Sequence, residues 1–351
     1  MTEGAPPAAI EGPAAWRAAD LVPDAWVCVV APGEVAEVEA AARTLAAREV
    51  DLASIGPDDF LLPRLAPRLR ALLDAEVLGG RGFAVLRGLV PRALSRREVA
   101  AAFLGLGVHL GALRPQNADG HVLGQVKDLG RSSGDPTARL YQTHERQTYH
   151  TDSCDVVALM CLRPAKAGGR SSLVSALTLH NEIRRARPDL ADALFAPIAT
   201  DRRGEVAPGQ KPWFNIPVFN WHAGHFAGMY QRQYIDSAQR FPEAPRLTAL
   251  QVEALDLLDR LAEDPALHLE LDFQPGDIQL VNNHVLFHDR TAFEDWPEQE
   301  RRRHLLRLWL APPGAQPLPT VFAERFGSIT PGHRGGVLVP RAQWVAPLDA
   351  S

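Results

Sequence analysis

The stretch FQPGDIQLVNNHVLFHDRT, residues 273–291, decides how the rest of the chain is read. Residues 269–273 and 278–281 are short apolar runs, and Pro275-Gly276-Asp277 between them signals a tight turn, so the segment reads as strand, turn, strand. Asn282-Asn283 breaks the run, and residues 285–291 resume as a further strand that carries His288. Similar short β-branched or aromatic runs, such as 156–159, recur between Gly and Pro turns from Gln116 onward. That texture predicts a β-sandwich or jelly roll.

Helical periodicity interrupts the β texture at 177–187 and 247–263. Upstream it dominates. Residues 34–50 and 63–78 repeat Ala, Leu and Val at three- and four-residue steps, and a glycine break at 79–82 precedes a short strand at 83–88 and a helix at 95–106. The expected fold class is therefore mainly β with helical insertions (α+β). Residues 1–15 hold Pro, Gly and Ala with little to bury, which predicts a disordered leader. The remainder, 16–351, reads as one domain: a helical part over 34–115, a jelly-roll core over 116–312 and a C-terminal extension over 313–351.

Chemistry gathers at Tyr149-His150-Thr151-Asp152. In an extended segment alternate side chains share a face, so His150 and Asp152 converge on one point. His288, on another strand of the same sandwich, adds a second imidazole. Two histidines and one carboxylate on one side of a metal leave three positions open, the facial arrangement used by non-haem Fe(II) oxygenases. Zinc accepts the same three ligands, so a hydrolase stays open at this point. So does a jelly-roll binding protein without catalysis. The stretch 301–310, RRRHLLRLWL, reads as a strand with Arg303, Leu305, Arg307 and Trp309 on one face. Two guanidinium forks then point together, each suited to bidentate recognition of a carboxylate.

Composition narrows the classes. The chain of 351 residues is 46% hydrophobic and 23% charged, as expected of a packed globular protein. Its formal charge of −5 speaks against a nucleic-acid partner. Lys127, Lys166 and Lys211 are the only lysines among 37 basic residues, so an arginine in any short window carries little weight by itself. Cys28, Cys154 and Cys161 form no CxxC and read as buried thiols in a reducing compartment. No run approaches the ~18 apolar residues of a membrane span, and the acidic N-terminus lacks a secretory pattern, so a cytoplasmic protein without a membrane partner is expected. A homo-oligomer is left open.

Taken in order and spacing, His150-Thr151-Asp152, the Gly168-Gly169-Arg170-Ser171 turn, Pro275-Gly276-Asp277 with Asn283, His288 and the Arg303/Arg307 pair resemble the TauD/TfdA (taurine dioxygenase and clavaminate synthase-like) family over about residues 80–312. The resemblance implies a double-stranded β-helix and an Fe(II)- and 2-oxoglutarate-dependent dioxygenase. Such an enzyme uses O2 to hydroxylate, desaturate or cyclise a small substrate while 2-oxoglutarate becomes succinate and CO2. It implies His150, Asp152 and His288 as metal ligands, Arg303 as the fork for the distal carboxylate of 2-oxoglutarate, and Ser171 (or its neighbour Ser172) as a hydroxyl donor to that co-substrate. The retained Asp152 argues against the family's halogenating branch. Arg307, Gln116, Asn117 and Tyr149 are the expected substrate contacts, with His121 and the Trp213-Phe214-Asn215 segment as further candidates. Arg307 points to a carboxylate-bearing substrate such as an amino acid. His144, His222, His225 and His284 are expected to lie outside the ligand set, and 213–239 is a candidate lid.

Overall fold

The computed structural model describes residues 7–22, 25–90, 94–132, 140–339 and 342–349. The turn that opened the sequence reading is present. Gly276 has φ +89°, and a Cβ there would lie 2.7 Å from the backbone of Leu89, so the position requires glycine on both counts. The strand that follows, Ile278–Asn282, is wholly buried because it lies inside a sheet covered on both faces.

That sheet has seven strands. In spatial order they are Val27–Val29, Phe83–Arg87, Ile278–Asn282, Val156–Arg163, His304–Ala311 and Ala112–Arg114, with Gly124–Val126 also paired to His304–Ala311. Only the Val27–Val29/Phe83–Arg87 pair is parallel. A second sheet of four antiparallel strands runs His268–Leu271, Ser171–Ser175, Leu286–Arg290 and Gln147–His150. The two sheets form the expected jelly roll.

Side-chain alternation divides the core. Leu306, Leu308, Leu310, Ile278, Leu280, Ala158 and Met160 face outward onto the helices Pro32–Ala46, Leu65–Leu72 and Arg96–Val108. Burying each such leucine contributes about 1.5–3 kcal/mol, so this layer fixes the large sheet. Phe83, Val157, Val281 and Trp309 point the other way, into the cluster that also holds Leu173 and Leu286 of the small sheet. The outer face of the small sheet is covered by Ala176–Ala186, Pro188–Leu194 and Ala249–Ala262.

Two expectations about organisation are corrected. The jelly-roll core does not begin at 116, since Val27–Val29, Phe83–Arg87 and Ala112–Arg114 are all strands of the large sheet. Short strands flanked by long helices leave little β signal, and pairing partners such as Ile278–Asn282 are distant in sequence. Nor is the described part of the leader, 7–15, disordered. Ile10 and Ala14 are buried, the backbone of Ile10 exchanges two hydrogen bonds with the Asn181 amide, and Ser175 Oγ donates to the Ala14 carbonyl. Backbone groups, which composition does not reveal, hold this segment.

The C-terminal extension is also built into the site's foundations. Asp155, three residues beyond Asp152, accepts from Arg334 Nε at 2.8 Å and lies 2.7 Å from His284 Nε2, all three side chains being buried. Arg325 Nε donates to Ser153 Oγ and the Gly336 N–H to the Ser153 carbonyl. Further on, Val345 bridges to His121, and Gln125 Nε2 donates to the Pro347 carbonyl.

Candidate metal centre and its surroundings

His150 ends the strand Gln147–His150 and stands opposite His288 of Leu286–Arg290, with the imidazole centroids 4.1 Å apart. Asp152 follows in a loop whose course is held by its neighbours. Thr151 N–H donates to the Tyr230 carbonyl at 2.8 Å, and the Asp152 N–H to Asn283 Oδ1 at 3.2 Å. Ligand atoms of His150, Asp152 and His288 all lie within 4.8 Å of one another, which is close enough to hold one metal ion.

Electrostatics prepares these side chains. Burial, reinforced by neighbouring positive charge, lowers His288 to about 3 and pulls His150 down as well, so both imidazoles are neutral with lone pairs available. His150 Nδ1 is 2.8 Å from the Thr148 carbonyl, which assigns the proton to Nδ1 and leaves Nε2 as the ligand atom. That Nε2 lies 2.8 Å from the Gln147 amide. Burial pushes the Asp152 carboxyl up, but Arg307, His288, His150 and the Trp309 indole together outweigh it and hold the group below its ordinary value. Trp309 Nε1 donates to Asp152 Oδ2 at 2.8 Å and Arg307 Nη1 at 3.2 Å, so the carboxylate is both ionised and oriented.

Arg303 and Ser171 occupy the same interior. Arg303 is 3% exposed, and its guanidinium makes no hydrogen bond or ion pair with any described residue. Burial lowers it to about 10, which leaves it cationic at neutral pH. Gly169 makes room for it, since a Cβ there would sit 3.0 Å from Arg303 Nε. Ser171 pairs with Arg290, and Leu173 with His288, so Ser171 is on the metal-facing side and donates to Gln279 Oε1 at 3.0 Å. Ser172 points the opposite way, with its Oγ 2.6 Å from the Tyr149 hydroxyl.

The ligand group opens onto a cleft of about 310 Å³, which shares Gln116, Tyr141, Arg203, Glu205 and Arg307 with a neighbouring cavity of about 700 Å³. Arg307 is where the sequence placed it. Gln116 is there too, but its amide is spent on the fold: Nε2 donates to the Val122 and Arg307 carbonyls while Oε1 accepts from Arg307 Nε at 2.7 Å. Its task is to aim Arg307. Asn117 and His121 line only the larger cavity and bond each other.

Tyr149 is corrected. It is 3% exposed and sits on the opposite face of the small sheet, against His268, where it touches neither cavity. The alternation that puts His150 inward forces its neighbour outward. In the 213–239 segment Trp213 stacks on Phe241 and Phe214 is buried against Ile216 and Phe322, while Gln231, Gln233 and Tyr234 line the cleft. His222 and His225 close a hairpin, His144 lies 3.4 Å from Asp128, and His284 is held by Asp155. None enters the ligand group. Sequence reasoning missed Gln147, Tyr141, Arg203 and Glu205. Trp309 was legible, because it shares a strand face with Arg307.

A jelly roll whose interior presents two neutral imidazoles, one carboxylate and a buried unpaired arginine has the architecture of a non-haem iron oxygenase. Comparison with known proteins agrees. Residues 44–309 match the taurine catabolism dioxygenase TauD, TfdA family, and the chain belongs to it. It is an Fe(II)/2-oxoglutarate-dependent dioxygenase. Among its relatives, FR-33289 synthase of Streptomyces rubellomurinus is 32% identical over 319 residues, covering 89% of this chain and 93% of that one. A uridine-5'-phosphate dioxygenase of a Streptomyces species is 30% identical over 240 residues, covering 64% and 85%. In fold the chain is similar to asparagine oxygenase in complex with Fe(II), hydroxyasparagine and succinate, with TM-score 0.59, 19% identity and 81% and 93% coverage. The oxygenase OrfP in complex with Fe and alpha-ketoglutaric acid gives TM-score 0.60, 17% identity and the same coverage. Among the described residues no helix is long and apolar enough to cross a membrane.

Proposed function

We propose that His150, Asp152 and His288 hold Fe(II), that Arg303 and Ser171 receive the distal carboxylate of 2-oxoglutarate, and that Arg307 meets an anionic group of the prime substrate. The iron, when bound, supplies the activation of O2 that oxidises a substrate C–H bond while 2-oxoglutarate is converted to succinate and CO2. The protein's own contribution is placement. Asp152 is kept ionised by Arg307 and Trp309, and both imidazoles are kept neutral by burial.

A single observation carries the reading: three convergent ligand atoms within 4.8 Å share an interior with a buried arginine that forms no ion pair with a described carboxylate. A zinc hydrolase has no use for that arginine. Nor does the cleft offer a spare general base, since its other carboxylate, Glu205, is paired with Arg325 at 3.5 Å. The substrate we favour is a small anion-bearing metabolite of amino-acid or nucleotide-phosphate type. Support comes from Arg307 at the junction of the two cavities, from the hydroxylated amino acids bound by the asparagine oxygenase and OrfP, and from the uridine-5'-phosphate dioxygenases. We place the enzyme in the cytoplasm, in keeping with three unpaired cysteines of which Cys154 and Cys161 are buried.

The test is anaerobic addition of Fe(II) and 2-oxoglutarate to metal-free protein, followed through the weak visible charge-transfer band of the chelate. Wild type is expected to develop the band, and His288→Ala to lose it while keeping its far-ultraviolet circular dichroism. No band in folded wild type would end the oxygenase reading of this site.

A further inference from the structure

Arg290 has no part in the proposal above, yet it is buried in the same interior between the two sheets. It lies two residues after His288 on Leu286–Arg290 and pairs across the ladder with Ser171. Alternation therefore aims both side chains to the side that His288 faces. The guanidinium is buried, and its two ends are treated differently. Nη2 donates to the carbonyls of Leu140 and Thr143 at 3.1 and 3.2 Å. Nη1 is buried with no hydrogen-bond partner among the described residues.

Its surroundings point to a ligand. The Phe293 ring centroid lies 4.9 Å from the guanidinium carbon of Arg290 and 5.2 Å from that of Arg303, so both cations pack against the same aromatic side chain. Gln279 adds a second orphan: its Oε1 accepts from Ser171 while its Nε2 is buried and unpaired. The interior between the sheets thus holds two buried guanidinium groups and a spare amide N–H. Neither guanidinium forms an ion pair with a described carboxylate. Two like charges out of water are costly unless an anion offsets both.

We propose that Arg290 is a second binding residue for the distal carboxylate of the co-substrate, with Gln279 Nε2 as a further donor, so that the subsite selects a dicarboxylate. This rests on the co-substrate reading of Arg303. Arg290 also holds the carbonyls on either side of Tyr141, whose ring lies 4.9 Å from the Arg307 guanidinium. The same side chain therefore joins the co-substrate subsite to the wall of the substrate cleft.

The experiment compares two keto acids on the Fe(II)-loaded protein without O2, read by the charge-transfer band: 2-oxoglutarate, and 2-oxopentanoate, which lacks the far carboxylate. In Arg290→Gln, which removes the cation but keeps a polar head, the dissociation constant for 2-oxoglutarate is expected to rise at least tenfold and that for 2-oxopentanoate less than twofold. Arg290→Lys is expected to recover most of the loss. An equal rise for both keto acids would assign Arg290 to the fold alone and overturn the proposal, as would no change for either. If Arg290→Gln does not fold, Gln279→Met tests the same subsite from the other sheet, with a selective loss of several-fold expected and an unselective or absent one overturning it. Wild type that binds neither keto acid would instead overturn the Arg303 reading, and this proposal with it.

Discussion

Arg303 immediately precedes the strand His304–Ala311 and Arg307 lies within it, both are buried, and their surroundings are opposites. Arg307 is satisfied by the chain itself: Gln116 Oε1 and Asp152 accept its N–H groups, and the Tyr141 and Trp309 rings lie 4.9 and 5.2 Å from its guanidinium carbon. The Arg303 guanidinium makes no hydrogen bond or ion pair with a described residue, and the Phe293 ring lies 5.2 Å from it. A buried guanidinium without partners costs stability, and one with partners is part of the fold. The contrast fits the division proposed above, in which Arg303 receives the co-substrate carboxylate while Arg307 orients Asp152 and meets substrate.

The strongest way to break this contrast is Arg303→Gln. Half-saturation by 2-oxoglutarate in a succinate-formation assay is expected to rise about 100-fold, the order expected when a buried charge-assisted pair loses its cation. The thermal midpoint should stay the same or rise, because an uncompensated cation has been removed. A lower midpoint with unchanged co-substrate affinity would erase the distinction.

Arg307→Gln should behave the other way. It strips partners from Gln116 and Asp152, so metal-free protein is expected to lose about 2 kcal/mol in denaturant unfolding. The concentration of prime substrate at half-saturation should rise about tenfold, with 2-oxoglutarate affinity changed less than threefold. Equal effects on both ligands would place the two arginines in one subsite.

The smallest effect belongs to Tyr149→Phe, which removes the hydroxyl 2.6 Å from Ser172 Oγ on the far side of the small sheet. About 1 kcal/mol of stability should be lost, with kinetic constants unchanged. Altered substrate affinity would return Tyr149 to the cleft.

How much was legible follows from the same period-two rule. Alternation brought His150 and Asp152 together and set Arg307 beside Trp309, and applied one residue further it also excludes Tyr149. Arg290 stands two residues from His288 and was equally readable, but an arginine in so Arg-rich a chain drew no attention until its unpaired Nη1 was seen. Helices such as Arg96–Val108 and Ala249–Ala262 were plain because their signal is local. The strands Val27–Val29 and Ala112–Arg114 were not, since three residues carry little periodicity and their reason to exist is a neighbour far along the chain.

By itself, then, the sequence determined the jelly-roll texture and singled out His150, Asp152, His288 and the Arg303/Arg307 pair, because strand periodicity and the spacing of those residues are legible along the chain. Only the tertiary structure decided that Gln116 aims Arg307, that Trp309 orients Asp152, that residues 7–15 are docked, and that Arg303 and Arg290 stand buried without an ion pair to any described carboxylate. Those are pairings between segments from different sheets and loops, and burial and hydrogen-bond satisfaction have no meaning until such segments meet.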